Sequence, residues 1–149
     1  MTVKISRREQ RQFAFQVLYA LHFEKAPTLE FIHRTFDNFQ EEAGETPPQT
    51  DLPFARSLVQ GVYDTNKELD TTIARFSKHW KLNRIAKIEL TILRLAVFEM
   101  LHVPDVPVRV TINEAIELAK KFGDDNSRTF VNGILDAVAK DVAKVSNTP

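Results

Sequence analysis

Basic residues crowd the beginning of the chain, where Lys4, Arg7, Arg8 and Arg11 lie close together. On a helix, side chains three or four positions apart share a face, so Arg7 would neighbour Arg11. Cations clustered in this way attract phosphates and release counterions when they bind them. Glu9 interrupts the cluster and weakens its field. From these residues alone, the segment is either a phosphate-binding surface or a solvated helix end.

An aromatic residue follows the cluster on the same predicted helix. Tyr19 would share this helix with Arg8 and Arg11. Such a combination suits unpaired RNA, because exposed bases stack on aromatic rings while cations hold the phosphates. A half-buried position in the core is the alternative role for Tyr19, and the spacing does not decide between the two.

Two Glu-x-x-His pairs, Glu30 with His33 and Glu99 with His102, have the spacing that carboxylate di-iron bundles use. Glu30 and His33 are predicted to lie opposite the apolar residues of their own helix, so they would face away from a bundle core. Surface or capping roles are therefore favoured, and a carboxylate di-iron enzyme is a weaker alternative. We expect no metal at these residues.

Other catalytic chemistry finds little support. The absence of cysteine excludes disulfides, thiolate zinc sites and cysteine nucleophiles. There is no Gly-x-Ser-x-Gly motif and no glycine-rich phosphate loop. Glu114 and Glu117 lie one helical turn apart, where capping and surface charge explain them better than acid–base catalysis. We therefore predict a protein that is not an enzyme, with no catalytic residue and no cofactor.

Charge and hydropathy indicate which surfaces and which cellular compartment to expect. The net charge is +0, so a nucleic-acid surface would have to be a local patch. No apolar run approaches the ~20 residues of a membrane span, and the polar, basic start does not resemble a signal peptide. We expect a cytoplasmic protein without a membrane partner.

Helical periodicity runs through most of the chain, because apolar residues recur at three- and four-residue intervals. This pattern predicts an all-α fold, a single-domain bundle of about seven helices with short connections. The first helix should run from about Ser6 to about Lys25. Arg84 to His102, capped by Asn83, is apolar nearly all round and should be the buried central helix. Residues 144–149 should form a flexible tail.

Several residues in the second half of the chain suggest helix ends. Thr111 and Glu114 have the spacing of a capping box. In this motif the side chain of each residue accepts a hydrogen bond from the backbone amide of the other. Gly123 is a candidate glycine stop for the helix that would begin there. Residues 124–127 then supply the cap of the last helix. These signals predict two consecutive helices joined by a short loop.

Arg94 lies inside the most apolar predicted helix. Arginine is rarely buried without a partner, so we predict a structural ion pair. Its candidate partners are Asp70, Glu114 and Glu117, which the sequence does not rank.

The order of these segments resembles the NusB family of transcription antitermination factors. Three stretches carry the resemblance: the arginine-rich start at 7–19, the segment 80–101, and 106–136, which contains INEAIELAK, FG and FVNGILD. The last stretch is the most specific, and the likeness covers nearly the whole chain. It is weakest from Lys25 to Leu52 and after Ala139.

The resemblance implies a fold and a role. Residues 1–149 would form one NusB-like RNA-binding domain of two packed helical subdomains, beginning with the basic segment 1–11. The chain would bind the boxA element of nascent ribosomal RNA leaders together with NusE, a small-subunit ribosomal protein. This pair would join RNA polymerase with other Nus factors and suppress termination. Some family members self-associate, so a homodimer is left open.

The resemblance also implies site residues, matched by position in this sequence. With the basic cluster, the predicted RNA-binding residues are Lys4, Arg7, Arg8, Arg11, Tyr19 and Phe130. The predicted partner-binding residues are Glu89, Phe122, Asp125, Asn126 and Ser127.

Two positions depart from the family pattern. Glu9 stands where many members have another arginine, which would lower the affinity for phosphate. Asn126 stands where the family commonly has aspartate. Loss of that negative charge should remove repulsion from RNA phosphates, so we hypothesise that it tightens assembly.

One rival interpretation is a helical accessory domain related to the N-terminal domains of RNA methyltransferases. NusB-like domains are fused to such enzymes. No second domain is expected in this sequence, and it has no glycine-rich cofactor loop, so methyl transfer by the chain itself is not favoured. A helical interaction module that does not bind RNA is a further alternative, which a binding assay would separate.

Overall fold

The computed structural model describes residues 5–42, 52–77 and 81–146, and within these ranges the regular structure is entirely helical. The helices are α1 (Arg7–Leu21), α2 (Leu29–Glu42), α3 (Pro53–Asp64), α4 (Asn66–Phe76), α5 (Lys87–His102), α6 (Val108–Phe122) and α7 (Asp125–Ser146), with a 3-10 turn at Leu82–Arg84. The predicted all-α fold with about seven helices is confirmed. No described helix is both long and apolar enough to cross a membrane.

The chain divides into two compact units, Met1–Gln60 and Gly61–Pro149. The first contains α1, α2 and most of α3, and the second contains α4 to α7. These units correspond to the two helical subdomains that were predicted. The last helix continues to Ser146, so it includes the beginning of the segment predicted as a flexible tail. Residues 147–149 lie outside the described part of the chain.

The core of the first unit forms where apolar rows of α1 and α2 face each other. Ala14 and Val17 on α1 are fully buried, as are Ile32 and Phe36 on α2 to within 2%. The ring of Phe13 meets that of Phe36 edge-to-face, with centroids 4.9 Å apart. Burying these side chains supplies the stability that a helix of this length lacks on its own.

The predicted start of the first helix is confirmed, but its predicted end is wrong. Ser6 is the N-cap, and its hydroxyl accepts a hydrogen bond from the amide of Glu9 at 3.1 Å. After Leu21 the amides of His22 and Phe23 bond to carbonyls three positions back. This change to three-residue bonds tightens and closes the helix before Lys25 is reached.

Helix α5 is the centre of the second unit, as predicted. Ile92, Leu93 and Val97 are fully buried, and α4, α6 and α7 all pack against α5. The prediction that Asn83 caps this helix is wrong, because α5 begins at Lys87 and Asn83 lies in the preceding 3-10 turn. Extended backbone at Ile85, which is 6% exposed, places that side chain in the core and delays the helix start.

The predicted capping box at Thr111 and Glu114 is also wrong. Helix α6 begins at Val108, and Pro107 is its N-cap residue. The carbonyl of Pro107 accepts bonds from the amides of Val110 and Thr111, so the helix has already completed a turn where the box was expected. Thr111 is instead 1% exposed, and its hydroxyl has no hydrogen-bond partner among the described residues.

The predicted ion pair of Arg94 is confirmed, and its partner is Asp70 on α4. The guanidinium donates two hydrogen bonds, from Nε to Oδ1 at 2.7 Å and from an Nη to Oδ2 at 3.0 Å. The two side chains are only 19% and 23% exposed. This fork-shaped contact satisfies a charge that would otherwise be poorly hydrated inside the most apolar helix.

Candidate nucleic-acid interface

Two arginines at the start of α1 pack against the ring of Phe54. The guanidinium carbon of Arg7 lies 4.5 Å from the centroid of the Phe54 ring, and that of Arg11 lies 5.1 Å from it. Both distances permit cation–π attraction, which holds long arginine side chains against a surface. Phe54 belongs to the first turn of α3, so the start of α3 supports the start of α1 within the first unit.

The arginines of this cluster differ in accessibility. Arg7 and Arg8 are exposed, whereas Arg11 is only 3% exposed. Arg11 packs against the half-buried Phe54, so Arg7 and Arg8 are the accessible arginines of the cluster, and the RNA contact of Arg11 stays a prediction. Lys4, the other predicted cation, lies outside the described residues.

A buried glutamine holds the backbone of the arginine cluster in place. Gln10 is 8% exposed, and its side-chain nitrogen donates to the carbonyl of Ile5 at 3.1 Å. Its side-chain oxygen accepts a bond from the amide of Ala55 at 3.0 Å. That amide belongs to the first turn of α3, where no carbonyl of the same helix can accept from it. Gln10 thus caps α3 and secures the chain that leads into α1.

Sequence reasoning missed Gln10, although a signal was present. Gln10 shares a helical face with Ala14 and Val17, which are both buried. A polar residue on an apolar face indicates a buried hydrogen-bonding role. The contact of Phe54 with Arg7 and Arg11 joins residues distant in sequence, so no local pattern indicates it.

Tyr19 lies within a row of aromatic rings along α1 and the turn that follows. Its ring is nearly parallel to that of Phe15, with centroids 5.9 Å apart, and meets the ring of Phe23 edge-on at 5.4 Å. Arg8 and Tyr19 occupy the same face of α1, about three turns or about 16 Å apart along its axis. Tyr19 thus shares α1 with the exposed Arg8, as predicted, and the buried Phe15 lies between them on this face.

Glu9, the departure from the arginine-rich pattern, has a structural explanation. It occupies the first turn of α1, where its amide is the group that Ser6 caps. A carboxylate at this position interacts favourably with the positive end of the helix dipole. Successive residues of a helix point about 100° apart, so Glu9 does not share the face of Arg8.

The loop between α6 and α7 is built around a reciprocal cap. Oδ1 of Asp124 accepts bonds from the amides of Asn126 and Ser127, both at 3.0 Å. Oγ of Ser127 accepts in return from the amide of Asp124 at 3.1 Å. The cap predicted within residues 124–127 is confirmed.

Gly123 ends α6 for a steric reason. Its φ is −102°, so the position does not require the left-handed conformation that usually favours a glycine stop. A Cβ atom here would instead lie 2.6 Å from Oγ of Ser127. Glycine is therefore required by the close approach of the cap.

Two predicted partner-binding residues meet at this cap. Oγ of Ser127 lies 2.9 Å from Oε1 of Glu89 and donates its proton there, which joins the first turns of α5 and α7. Ser127 is 3% exposed and so acts from inside the loop. Asp125 and Asn126 are exposed on its outer side, and Phe122 is half-buried. The structure thus brings all five predicted partner-binding residues to one region of the second unit.

Phe130, the remaining predicted RNA-binding residue, lies on α7 and is half-buried. It belongs to the second unit, whereas Arg7, Arg8 and Tyr19 belong to the first. Its half-buried ring packs partly against the protein and leaves part of its surface accessible to a base.

The Glu-x-x-His pairs are engaged in other contacts. Glu30 forms an ion pair with Arg34 at 2.9 Å, and His102 lies 2.9 Å from Glu68. The expectation of a surface or capping role is wrong for Glu99, which is 2% exposed. Across the described ranges, no three side chains of His, Cys, Asp or Glu are grouped to hold a metal ion.

Replacing Ser127 by alanine should lower the free energy of unfolding by about 1–2 kcal/mol, because it removes the cap bond and the bond to Glu89 together. Urea denaturation measures the change. Asn126→Ala in the same loop alters an exposed side chain and should change stability by less than about 0.5 kcal/mol. Equal stabilities for the two variants would show that the buried hydroxyl does not hold the loop.

The fold and the site define a class of small all-helical protein that presents cations and aromatic rings from its first helix. The model of the NusB family matches residues 8–140. The chain belongs to the NusB family, which confirms the resemblance found in the sequence.

Individual relatives agree with this assignment. The transcription antitermination protein NusB of Oleidesulfovibrio alaskensis is 51% identical over 138 residues, covering 91% of this chain and 88% of the relative. The NusB protein of a Geobacter species is 46% identical over 141 residues, covering 92% and 96%. Both relatives carry the same description, and the match spans nearly their full length.

Solved structures show the same fold. NusB of T. maritima superposes with a TM-score of 0.80 at 34% identity, covering 93% of this chain and 94% of that one. A structure of the antitermination factors NusB and NusE in complex with dsRNA superposes with a TM-score of 0.77 at 27% identity, covering 91% and 96%.

Proposed function

We propose that the chain is a transcription antitermination factor that binds the boxA element of nascent ribosomal RNA leaders together with NusE. In this role it helps the RNA polymerase elongation complex, with the other Nus factors, to read through terminators. The observation that carries the proposal is the match to antitermination proteins over nearly the whole chain, at 51% identity in one case. We place this action in the cytoplasm and assign no catalytic step to the chain.

The site geometry supports capture of a single RNA strand. Arg7 and Arg8 are exposed and would neutralise phosphates, while Tyr19 on the same helix would stack against a base. Arg11 would act as a positioning residue, because its burial against Phe54 orders the start of α1. Phe130 would add a second aromatic contact. The solved structure of NusB and NusE in complex with dsRNA supports RNA binding by the pair.

The partner would dock at the cap region of the second unit. Glu89 offers a carboxylate whose position is set by Ser127, and Asp125 and Asn126 are exposed beside it. NusE would contribute RNA contacts of its own, so the affinity for RNA and the affinity for NusE would be coupled.

Titration of fluorescent boxA RNA with the chain, in the presence and absence of purified NusE, tests the proposal. We expect weak binding by the chain alone, tighter binding with NusE, and preference for boxA over a scrambled strand of equal length. The affinity should fall steeply as salt rises, because phosphate contacts release counterions. Equal affinity for both strands with NusE present would contradict the proposed role.

Asn126→Asp should weaken the complex with boxA RNA and NusE by about 3- to 10-fold, because it adds a carboxylate next to Asp124 and Asp125 near the proposed RNA and partner surface. The dissociation constant of the ternary complex measures the effect. Asn38→Asp, an identical charge change at an exposed position of α2, is the matched control. Unchanged affinity in Asn126→Asp would refute the hypothesis that loss of this charge tightens assembly.

A further inference from the structure

We propose that Phe23 is an additional base-stacking residue, placed directly after Tyr19 on the path of the RNA strand. The inference rests on the proposed RNA-binding function and extends the predicted contact surface beyond the end of α1. Its occupant is an unpaired RNA base, and its role is to add affinity.

Phe23 is 63% exposed, more than any other large hydrophobic side chain in the described part of the chain. Exposure alone does not indicate a binding role, since single apolar residues are common on protein surfaces. The position of the ring is more informative. It touches Tyr19 edge-on, with centroids 5.4 Å apart and an angle of 85° between the rings.

The arrangement of the row leaves Phe23 better placed for stacking than Tyr19. One side of Tyr19 is covered by Phe15, whose ring lies nearly parallel to it and is 2% exposed. Tyr19 is therefore half-buried and offers a base only part of its surface. Phe23 continues the same row and presents most of its ring to solvent.

The backbone holds Phe23 in this position. The amide of Phe23 donates to the carbonyl of Ala20 at 3.2 Å, and the amide of Glu24 donates to that of Leu21 at 3.2 Å. The ring therefore extends from an ordered turn that closes α1, so less freedom is lost when it binds a base.

Contact with Tyr19, the proposed base-stacking residue of α1, favours RNA as the occupant. The ring centroids of Tyr19 and Phe23 are 5.4 Å apart, so a base stacked on Phe23 would directly follow a base held at Tyr19. Next to Phe23, the exposed Glu24 and Lys25 carry opposite charges and provide no net field for phosphates. Stacking on the ring is then the available contact. It is tolerant of base identity because every base has a π-face.

The test uses boxA RNA with 2-aminopurine at one position at a time, bound to the complex of the full chain with NusE. Phe23→Ala should raise the dissociation constant by about 5- to 10-fold and restore 2-aminopurine fluorescence at one position or at two adjacent ones. Phe23→Trp should retain both affinity and quenching. Leu29→Ala removes another exposed apolar side chain of the same unit, 45% exposed, and should leave both unchanged.

The outcomes separate the two proposals. Wild-type affinity and quenching in Phe23→Ala, together with lost binding when Arg7 and Arg8 are replaced, would overturn the role of Phe23 and leave the RNA-binding function intact. A wild-type complex that does not prefer boxA would overturn the proposed function, and the role of Phe23 with it. Loss of NusE affinity without loss of RNA affinity would identify a protein as the occupant and overturn the inference. Circular dichroism of each variant verifies that the helices are intact.

Discussion

Replacing Arg7 and Arg8 together by alanine should weaken binding of boxA RNA by about 10- to 100-fold, because two charge-assisted phosphate contacts are lost. The salt dependence should change as well. Each phosphate neutralised on a single strand contributes about 0.7 to the slope of log affinity against log salt, so the double variant should have a slope smaller by about 1.4. Titrations at several salt concentrations measure both quantities.

The matched control removes the same charge elsewhere. Arg34 and Lys67 are exposed side chains on α2 and α4, and Arg34→Ala/Lys67→Ala should leave the slope within experimental error of the wild-type value. If the two double variants lose affinity equally, the cause is the net charge of the chain, and the start of α1 has no special role. Replacing Arg11 should behave differently, since its burial against Phe54 predicts a loss of stability.

Breaking the ion pair between α4 and α5 should cause a large loss of stability. Asp70→Ala leaves the guanidinium of Arg94 without its fork-shaped partner, and the expected decrease in the free energy of unfolding is about 2–3 kcal/mol. The expected loss is smaller than for a fully buried pair, because the side chains of Arg94 and Asp70 are still 19% and 23% exposed to solvent. Chemical denaturation of each variant measures the change.

A double variant distinguishes loss of the ion pair from the presence of an unpaired guanidinium. Asp70→Leu/Arg94→Met removes both charges, and stability should return to within about 1 kcal/mol of the wild type. The exposed pair of Glu30 with Arg34 is the control, and Arg34→Ala should cost less than about 0.5 kcal/mol. If Asp70→Ala costs no more than Arg34→Ala, water replaces the lost partner and the pair contributes little to the fold.

Burial was easier to predict from the sequence than the positions of helix ends. The apolar residues of α5 leave almost no polar face, so its central place and the need of Arg94 for a partner follow from periodicity alone. Asn83 and Thr111 both have side chains suited to capping. Neither caps a helix, because the burial of Ile85 and the geometry at Pro107 decide where α5 and α6 begin. Such tertiary preferences are not visible in a local pattern.

The sequence also predicted the candidate site only in part: it gave positions along a helix but not contacts between helices. Spacing places Arg7 and Arg8 at a helix start, and it places Tyr19 on the face of Arg8. The burial of Arg11 depends on Phe54, which is distant in sequence and reaches the arginine only when α3 begins beside α1. The bond from Gln10 to Ala55 depends on the same approach. Contacts of this kind require the fold to be known.

Phe54 and Gln10 support the start of α1. Because of this support, the region loses conformational entropy when the chain folds and not when it binds a ligand. Long arginine side chains normally surrender rotamer freedom when they meet a ligand, which reduces the free energy of association. In this chain, folding itself restricts Arg7 against an aromatic ring and fixes the backbone beneath it. A passing transcript would therefore encounter a cationic surface that is already arranged. Less of the free energy of association would then be spent on ordering these side chains.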